Sequence, residues 1–561
     1  MVMSKKPASK GAKIIFIVLF VLTFIFRTAL IVIAVMLWKP VYSLYYIDTD
    51  TGYNLVDTSL TTEQKLSDLE YMYNIVCLGN PNKALYEEAY GISYEDVYSQ
   101  YRDLVAGSES EYEFFSYMSC FLAILPGQHN YMKLQDYDRT AVNGSFSLTE
   151  IYGNQEQKDY AYSWKEAWRD DVAAYNDCNL IGFYYVDGKY IGMSASTSAV
   201  RTNVCDYLNA QLISIDGRDP VDLCFEMPNR YVPDYDGINQ CFFRENLLFN
   251  DGVGQPHTAV IRLADGTVET REIYDDPGFA IAFAEATSVY PELFEDRPEE
   301  TEDTDEPKTY RITTDAGRKM VYINSVMCNT DEGERLAADL RQAIQEVDAE
   351  TVILDIRSNT GGVSSFCNEQ LLPVIFSHDL EFRSRVCGLK NEHTKNFYNS
   401  LFNRLFALFV GDSDFNCDKE HFYYTEDFSV EGQADHDYKI YVLTSHKTFS
   451  SGDILARLCK AYDNAVVIGT NTGGEGICGS PFNCSLPESH FMFTYTPTYC
   501  VDAPDDDVYG TAPDIYIPYT AEEYMARQEI IARGESANSY ESRLTWDQTL
   551  LQVLDMIDKG E

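Results

Sequence analysis

Apolar residues recur at helical spacing in the part of the chain after residue 60, and at strand spacing in the part that follows. The segments 61–76, 110–125 and 155–175 place apolar residues three or four positions apart, as amphipathic helices do. Short alternating segments come next, and VDGK at 186–189 has the composition of a hairpin turn. The pattern predicts a helical region and then a mostly β region up to about residue 290.

Beyond residue 308 strands and helices alternate. Continuous apolar runs predict buried strands at KMVYINSV, ETVILDIR, YKIYVLTS and NAVVIG. Helical patterns lie between them at DEGERLAADLRQAIQEV, SSFCNEQLLPVIF and about 450–462, and a polar insertion covers about 390–435. Such an order indicates an α/β fold with a mostly parallel sheet, whose sites lie at the carboxyl ends of the strands.

The segment 14–38 is apolar except for Arg27 and is long enough to cross a bilayer as a helix. Four lysines precede it, at positions 5, 6, 10 and 13, and a mostly acidic chain follows. A secretory signal peptide is the alternative, but WKPVYS after the apolar run contains no A-x-A cleavage pattern. We therefore expect a single-pass anchor in the lipid of the cell membrane, with a cytoplasmic N-terminus and the bulk of the chain outside.

Composition excludes several classes of protein. The 561 residues are enough for two or three folded units. The net charge of −45 would repel a phosphate backbone, so we expect no nucleic-acid partner. The 14 cysteines include no C-x-x-C, which argues against a zinc ribbon, and their disulfide pairing stays open.

Cofactor motifs are also lacking. The run GEGICG at 474–479 fits G-x-G-x-x-G, but the proline-containing SPFNCSLP follows it instead of a helix. The sequence contains no H-E-x-x-H, P-loop or G-x-S-x-G motif. We therefore expect no cofactor and no metal.

The heptapeptide KTFSSGD at 447–453 lies where a predicted buried strand ends and a helix begins. A serine at such a junction is either a helix cap or a nucleophile. A nucleophilic serine needs a base, a group that orients the base, and N–H donors for the developing oxyanion. A second strand-to-helix turn carries Gly361 and Gly362, whose amides could approach a ligand closely.

Four segments in order, DIRSNTGG, TFSSGD, VVIGTNTGG and YGTAPDI, resemble the core signatures of the tail-specific, or C-terminal-processing, serine proteases and their tricorn-core relatives. LPGQH at 125–129 is similar to the end of that family's cap region, and LNAQLISIDGRDPVDL at 208–223 to part of its PDZ-like domain. The resemblance covers most of 60–520. It implies a serine-type peptidase with a crotonase/Clp-like α/β core that acts on peptide or protein substrates.

With the resemblance, the expected organisation has eight parts: a cytoplasmic N-terminus (1–12), a transmembrane helix (13–38), a linker (39–59), a helical cap region (60–175), a PDZ-like β-rich domain (176–290), an acidic linker (291–308), a protease core (309–545) and a C-terminal tail (546–561).

By position in the family motif, the resemblance makes Ser450 the nucleophile. The amide of Ser451, with an amide of Gly361 or Gly362, would form the oxyanion hole.

The processing-protease branch takes its base from a lysine, and Glu475 stands at the matching place in this chain. That replacement excludes the Ser–Lys dyad. The tricorn-like branch instead implies His129 as the base and Asp507 as the acid that orients it. Gln128 before the histidine and an aspartate in place of the usual glutamate depart from that pattern.

Two rivals for the base stay open, since His446 and Lys447 lie beside the nucleophile in sequence. The sequence thus predicts a membrane-anchored, extracytoplasmic serine endopeptidase with a PDZ-like domain that recognises substrate. The alternative is a catalytically inactive peptide-binding or scaffold protein. The substrate and the oligomeric state are not predicted.

Overall fold

The structure is a computed structural model that describes Arg27, Thr394 and the residues 52–133, 155–175, 178–193, 207–282, 309–391, 416–479 and 481–560. The predicted transmembrane helix (13–38, apart from Arg27) and the acidic linker (291–308) lie outside these ranges. Within the described ranges, no helix has both the length and the apolar character needed to cross a bilayer.

The N-terminal part, as far as the structure describes it, contains six helices and one short strand. They are α1 (Thr62–Met72), α2 (Lys83–Tyr90), α3 (Tyr94–Gly107), α4 (Glu111–Ile124), β1 (Tyr131–Lys133), α5 (Gln155–Ala167) and α6 (Arg169–Ala174). Thr61 and Gln64 form a capping box at the start of α1, and Ser110 caps α4. Buried aromatic side chains such as Phe115 and Phe121 hold the helices together. The three predicted helical segments are confirmed, and α1 continues into a π-helical turn, Tyr73–Cys77.

The β-rich part is a closed six-stranded barrel with a two-stranded ribbon beside it. Its strands are β2 (Leu180–Val186), β3 (Lys189–Gly192), β4 (Gln211–Ile215), β5 (Pro233–Asp236), β6 (Cys241–Arg244), β7 (Asn246–Asn250), β8 (Gln255–Arg262) and β9 (Val268–Asp275). The barrel order is β2-β3-β4-β8-β9-β7, and β5 pairs with β6. The predicted hairpin turn between β2 and β3 is confirmed, with Asp187 and Gly188 both at positive φ.

The described residues of the C-terminal part form twelve strands and seven helices. The strands are β10 (Tyr310–Asp315), β11 (Met320–Ser325), β12 (Thr351–Asp355), β13 (Leu380–Leu389), β14 (Asn416–Cys417), β15 (His421–Val430), β16 (Lys439–Thr444), β17 (Ala465–Gly469), β18 (Phe482–Ser485), β19 (Met492–Tyr495), β20 (Thr498–Cys500) and β21 (Ile515–Tyr516). The helices are α7 (Thr330–Val347), α8 (Leu372–Ile375, preceded by a π-helical segment, Phe366–Leu371), α9 (Ser451–Lys460), α10 (Pro504–Tyr509), α11 (Ala521–Ala532), α12 (Tyr540–Arg543) and α13 (Gln548–Lys559).

The central sheet has six strands in the order β10-β11-β12-β16-β17-β21. The pair β10–β11 is antiparallel, and every other pair is parallel, as the alternating pattern predicts. Apolar side chains of α7 and α9, such as Leu340 and Leu455, cover one face. On the other face Leu550 and Val553 of α13 pack against Met320 and Tyr441. The segment predicted as a C-terminal tail (546–561) therefore contributes an apolar stripe to the core.

Two smaller sheets flank the central one. The sheet β14-β15-β13-β20 contains a ten-residue antiparallel pairing between β13 and β15. The last part of the polar insertion predicted at about 390–435 forms β15, in which Phe422, Phe428 and Val430 are buried. The sheet β1-β19-β18 joins the N-terminal part to the C-terminal part, because β1 pairs with β19. This pairing positions the residues just before β1 beside the central sheet.

Candidate active site

Ser450 lies between β16 and α9, at the carboxyl edge of the central sheet. Its backbone has φ +55° and ψ −122°, a region that a non-glycine residue adopts only under strain. Although Ser450 holds the N-cap position of α9, its side chain makes no capping hydrogen bond. The cap interpretation is thereby excluded. A serine held in a strained strand-to-helix turn presents its hydroxyl outward, as nucleophilic serines do in α/β hydrolases.

Two main-chain hydrogen bonds and one close approach hold this turn. The Ser450 amide donates to the Gly474 carbonyl at 3.1 Å, and the Phe449 amide donates to the Asn359 carbonyl at 3.0 Å. Gly361 approaches so closely that a Cβ added to it would lie 2.7 Å from the Ser450 Cβ. Only glycine fits at this position, since its φ is also +99°. The glycine turn after β12 therefore packs directly against the serine.

His129 reaches Ser450 from the N-terminal part. Its Nε2 lies 3.1 Å from the Ser450 Oγ, although the two residues are 321 positions apart in sequence. The hydroxyl of Thr494 on β19 donates to the His129 carbonyl at 2.7 Å, and the Phe449 ring packs against the imidazole with centroids 4.6 Å apart. The side chain is only 11% exposed. The structure thus brings two of the predicted residues together at hydrogen-bonding distance.

Glu475 completes the arrangement on the other side of the imidazole. Its Oε2 lies 2.5 Å from His129 Nδ1 and also accepts the His129 main-chain amide at 2.8 Å. The carboxylate is buried, with 3% exposure. Accepting the Nδ1 proton leaves the Nε2 lone pair directed at Ser450, which is the tautomer that a general base requires. Sequence reasoning missed this role, because it treated the glutamate only as the loss of a lysine.

Asp507, predicted as the acid that orients His129, makes its contacts away from the imidazole. It lies on α10, where Oδ2 accepts the Cys500 amide at 2.8 Å and Oδ1 lies 4.0 Å from an Arg457 nitrogen. Burial raises the pKa of Asp507 well above its usual value, although Arg457 opposes the shift. Glu475 occupies the position at Nδ1 that Asp507 was expected to fill.

The two rival bases face elsewhere. His446 Nε2 lies 3.4 Å from the Tyr184 hydroxyl, and the imidazole meets the Phe243 ring edge-on. Burial lowers the pKa of His446 to about 4, despite the nearby carboxylate of Glu245. Lys447 forms an ion pair with the same Glu245. Both side chains therefore belong to a cavity of about 400 Å³ between the barrel and the core.

Of the three amides predicted as oxyanion donors, those of Gly361, Gly362 and Ser451, two remain candidates. The Gly361 amide already donates to Asn359 Oδ1 at 2.9 Å. Among the residues that the structure describes, the amides of Gly362 and Ser451 have no acceptor. The Ser451 hydroxyl donates to the Gly362 carbonyl at 2.9 Å and so fixes the two residues relative to each other. Free amides held beside a serine Oγ can stabilise a developing oxyanion.

Asp453 connects the serine helix to the loop that carries Glu475. Its Oδ1 accepts the Thr472 hydroxyl at 2.6 Å, and its Oδ2 accepts the Gly476 amide at 3.1 Å. Arg457, one turn further along α9, donates to the same Oδ2 at 2.9 Å. Because Asp453 is fully buried, these bonds hold the loop rigidly against α9. This carboxylate therefore positions Glu475 without touching the imidazole.

One group of described side chains has the donor types of a metal site. Ligand atoms of His129, Glu475 and Cys478 lie within 4.8 Å of one another. Both imidazole nitrogens, however, already face Ser450 and Glu475. The Cys478 thiol donates to the Glu475 carbonyl at 3.1 Å, and burial raises its pKa, which disfavours the thiolate that binds metals. The hydrogen bonding fits proton transfer better than metal binding.

Comparison with known proteins gives one match of sequence and several of structure. Residues 320–517 match the profile of Peptidase family S41. No curated protein matches the sequence. Similar solved structures include mature CPAF complexed with lactacystin (14% identity, 90% of this chain and 100% of that chain, TM-score 0.48). The photosystem II D1 C-terminal processing protease (12%, 82% and 94%, TM-score 0.33) and the tricorn protease (13%, 85% and 36%, TM-score 0.29) are also similar.

Proposed function

Because the chain carries a domain of peptidase family S41 and is a serine-type peptidase, we propose that it hydrolyses peptide bonds through an acyl-enzyme on Ser450. The observation that carries this proposal is the continuous chain of contacts from Ser450 Oγ through His129 to Glu475, at 3.1 Å and 2.5 Å. Peptide or protein substrates follow from the family.

In the first half-reaction, Ser450 Oγ attacks the carbonyl carbon of the scissile peptide bond while His129 Nε2 takes the hydroxyl proton. Glu475 stabilises the imidazolium that forms, since its carboxylate already holds Nδ1. The negative charge on the substrate oxygen develops beside the amides of Gly362 and Ser451. The tetrahedral intermediate collapses when His129 returns the proton to the leaving amine.

In the second half-reaction, a water molecule enters where the amine has left. His129 takes a proton from this water, which attacks the ester carbonyl, and returns the proton to Ser450 as the acid product departs. Burial of both His129 and Glu475 keeps these charges in a medium where hydrogen bonds act strongly.

Covalent labelling tests the nucleophile. A fluorophosphonate should react with the folded protein, and peptide mapping should place the label on Ser450. Ser450→Ala should abolish labelling, whereas the matched control Ser451→Ala should retain its amide and its labelling. Labelling at Ser451, or none in protein that is folded by circular dichroism, would contradict the proposal. The second outcome would instead favour the inactive peptide-binding alternative.

We further propose that the barrel formed by β2–β4 and β7–β9 is a PDZ-like domain that recognises substrate. Its closed six-stranded order and its position against the core at the cavity that contains His446 support this role. A variant whose barrel no longer binds substrate should have a higher KM for a long peptide. The labelling of its Ser450 by a small reagent should be unchanged.

The membrane topology is also a proposal. The apolar segment 14–38 with lysines ahead of it supports a single-pass anchor with the catalytic part outside the cell membrane. Protease added to intact cells should digest the bulk of the chain and spare the N-terminus. A bulk resistant to this treatment, or a mature chain that starts near residue 40, would contradict the topology.

A further inference from the structure

Two thiols meet directly beneath the candidate oxyanion hole. The Sγ atoms of Cys328 and Cys367 are 3.7 Å apart, and both are free thiols. The two residues are almost fully buried, at 1% and 0% exposure. A disulfide bond requires a sulfur separation of about 2.05 Å. Forming one here would bring the sulfurs about 1.7 Å closer together.

Cys328 supports the glycine side of the oxyanion hole. Its amide donates to the Gly361 carbonyl at 2.8 Å, and its carbonyl accepts the Val363 amide at 2.9 Å. Its thiol lies 3.5 Å from Asn359 Oδ1, the oxygen that also accepts the Gly361 amide. Any displacement of Cys328 is therefore transmitted to the Gly361–Gly362 turn.

Cys367 supports the serine side. Its thiol donates to the Ser451 carbonyl at 3.4 Å, at the first residue of α9. It lies in the π-helical segment Phe366–Leu371, where the backbone departs from α-helical geometry. The two sulfurs thus connect the two residues, Gly362 and Ser451, whose amides are the candidate oxyanion donors.

We propose that Cys328 and Cys367 form an oxidation site, at which hydrogen peroxide converts the two thiols into a disulfide that slows peptide hydrolysis. Peroxide first oxidises one thiol to a sulfenic acid and is reduced to water. The second thiol attacks that sulfur, the S–S bond forms, and a second water leaves. The thiols lose two electrons in total and the peroxide gains them. A dithiol reductant reverses the step by thiol–disulfide exchange.

The consequence for activity rests on the proposed peptidase function, whereas the cross-link itself does not. Oxidation removes both thiol hydrogens, so the bonds to Asn359 and to the Ser451 carbonyl are lost. The shorter sulfur separation also shifts the glycine turn relative to the start of α9. We therefore expect kcat to fall at least about tenfold, with KM little changed, since oxyanion donors act on the transition state.

The reaction should be slow. The hydrogen bond with Cys328, together with burial, raises the pKa of Cys367 well above that of a free thiol. Thiolates react with peroxide far faster than thiols, so exposure over hours rather than seconds is required.

The experiment follows the cross-link and the rate together. The full-length protein is treated with peroxide, its remaining thiols are alkylated, and a digest made without reduction is searched by mass spectrometry for a Cys328–Cys367 peptide. Cleavage of a fluorogenic peptide is measured on the same samples before and after dithiothreitol. The wild type should lose activity as the linked peptide accumulates, and dithiothreitol should restore it.

Three variants provide the comparison. Cys367→Ala and Cys328→Ser should form no link, and peroxide should leave each at the rate that the same variant shows untreated. The matched control Cys484→Ala, which removes another fully buried cysteine, should respond like the wild type. Equal inactivation of Cys367→Ala, an unchanged kcat in fully linked protein, or no linked peptide at all would overturn the proposal. If the wild type forms the cross-link but never cleaves peptide, the proposed function is overturned and the oxidation site is retained.

Discussion

The loop that carries Glu475 and the short helix that carries Asp507 each bury a carboxylate, yet the two acids are held very differently. Glu475 Oε2 meets two hydrogen-bond donors of His129, its ring nitrogen and its main-chain amide. Among the described residues, Asp507 has one amide donor on Oδ2, and its buried Oδ1 has no hydrogen-bond partner. Burial favours the neutral form of an acid unless donors offset the desolvation. A carboxylate is thus identified as the acid of a triad by its donors, and its order in a motif is not sufficient.

The strongest test of this comparison replaces each acid by its amide. Glu475→Gln should lower kcat about 10⁴-fold, because the amide no longer holds His129 in the tautomer that accepts the serine proton. Asp507→Asn should change kcat by less than about threefold. Steady-state kinetics on both variants, with folding checked by thermal denaturation, measures the difference. The reverse ranking would restore Asp507 as the orienting acid.

A smaller loss of kcat is expected for Asp453, whose carboxylate acts through the loop that carries Glu475. Asp453→Asn weakens the bonds to the Gly476 amide and the Thr472 hydroxyl, so Glu475 should be held less rigidly. We expect kcat to fall about 10- to 100-fold, as for the loss of a supporting partner. Asp506→Asn is the matched control, since Asp506 also faces Arg457, at 3.6 Å, but is a third exposed. Equal losses in the two variants would show that the charge around Arg457, and not the loop, matters.

The burial of Asp507 should also affect the pH dependence of the stability of the fold. Because the folded-state pKa of Asp507 is raised, the folded protein binds its proton more tightly than the unfolded chain does. Stability is then lost as pH rises from the unfolded value of about 3.9 towards the folded pKa. Asp507→Asn should therefore raise Tm at pH 8 by a few degrees and have little effect at pH 4. A fall in Tm at pH 8 would mean that the charged form is stabilised by Arg457 instead.

The smallest effect on the rate is expected for His446, which can be compared with His129 as the two acids were compared. His446 has a pKa lowered to about 4, so it stays neutral and should contribute no ionisation to the rate above pH 5. His446→Gln should retain kcat/KM within about threefold across pH 5 to 9, whereas His129→Gln should lose most activity. If the fall in kcat/KM at low pH disappeared in His446→Gln, His446 would be the base.

Much of the fold follows from local pattern, because buried parallel strands and amphipathic helices carry strong signals. The same pattern marked the strand-to-helix junction that holds Ser450, but the choice of Ser450 as the nucleophile came from the resemblance to tail-specific proteases. The strand β15 could not be predicted in this way, because its polar and apolar residues do not alternate regularly. It is stabilised by pairing with β13, which the local sequence does not indicate. Glu475 required three-dimensional information. Its partner His129 is 346 residues away and is brought near by a three-residue strand that no periodicity marks.

The pairing of β1 with β19 also bears on when the protein can act during its own synthesis. Ribosomes build the chain from the N-terminus, and domains begin to fold as they emerge. His129 is made 321 residues before Ser450, and its placement depends on Tyr131–Lys133 aligning with Met492–Tyr495. A nascent chain in which Ser450 has already left the ribosome therefore still lacks a correctly placed His129. Prematurely terminated products that stop before residue 490 should be inert, so translation errors would release no active protease.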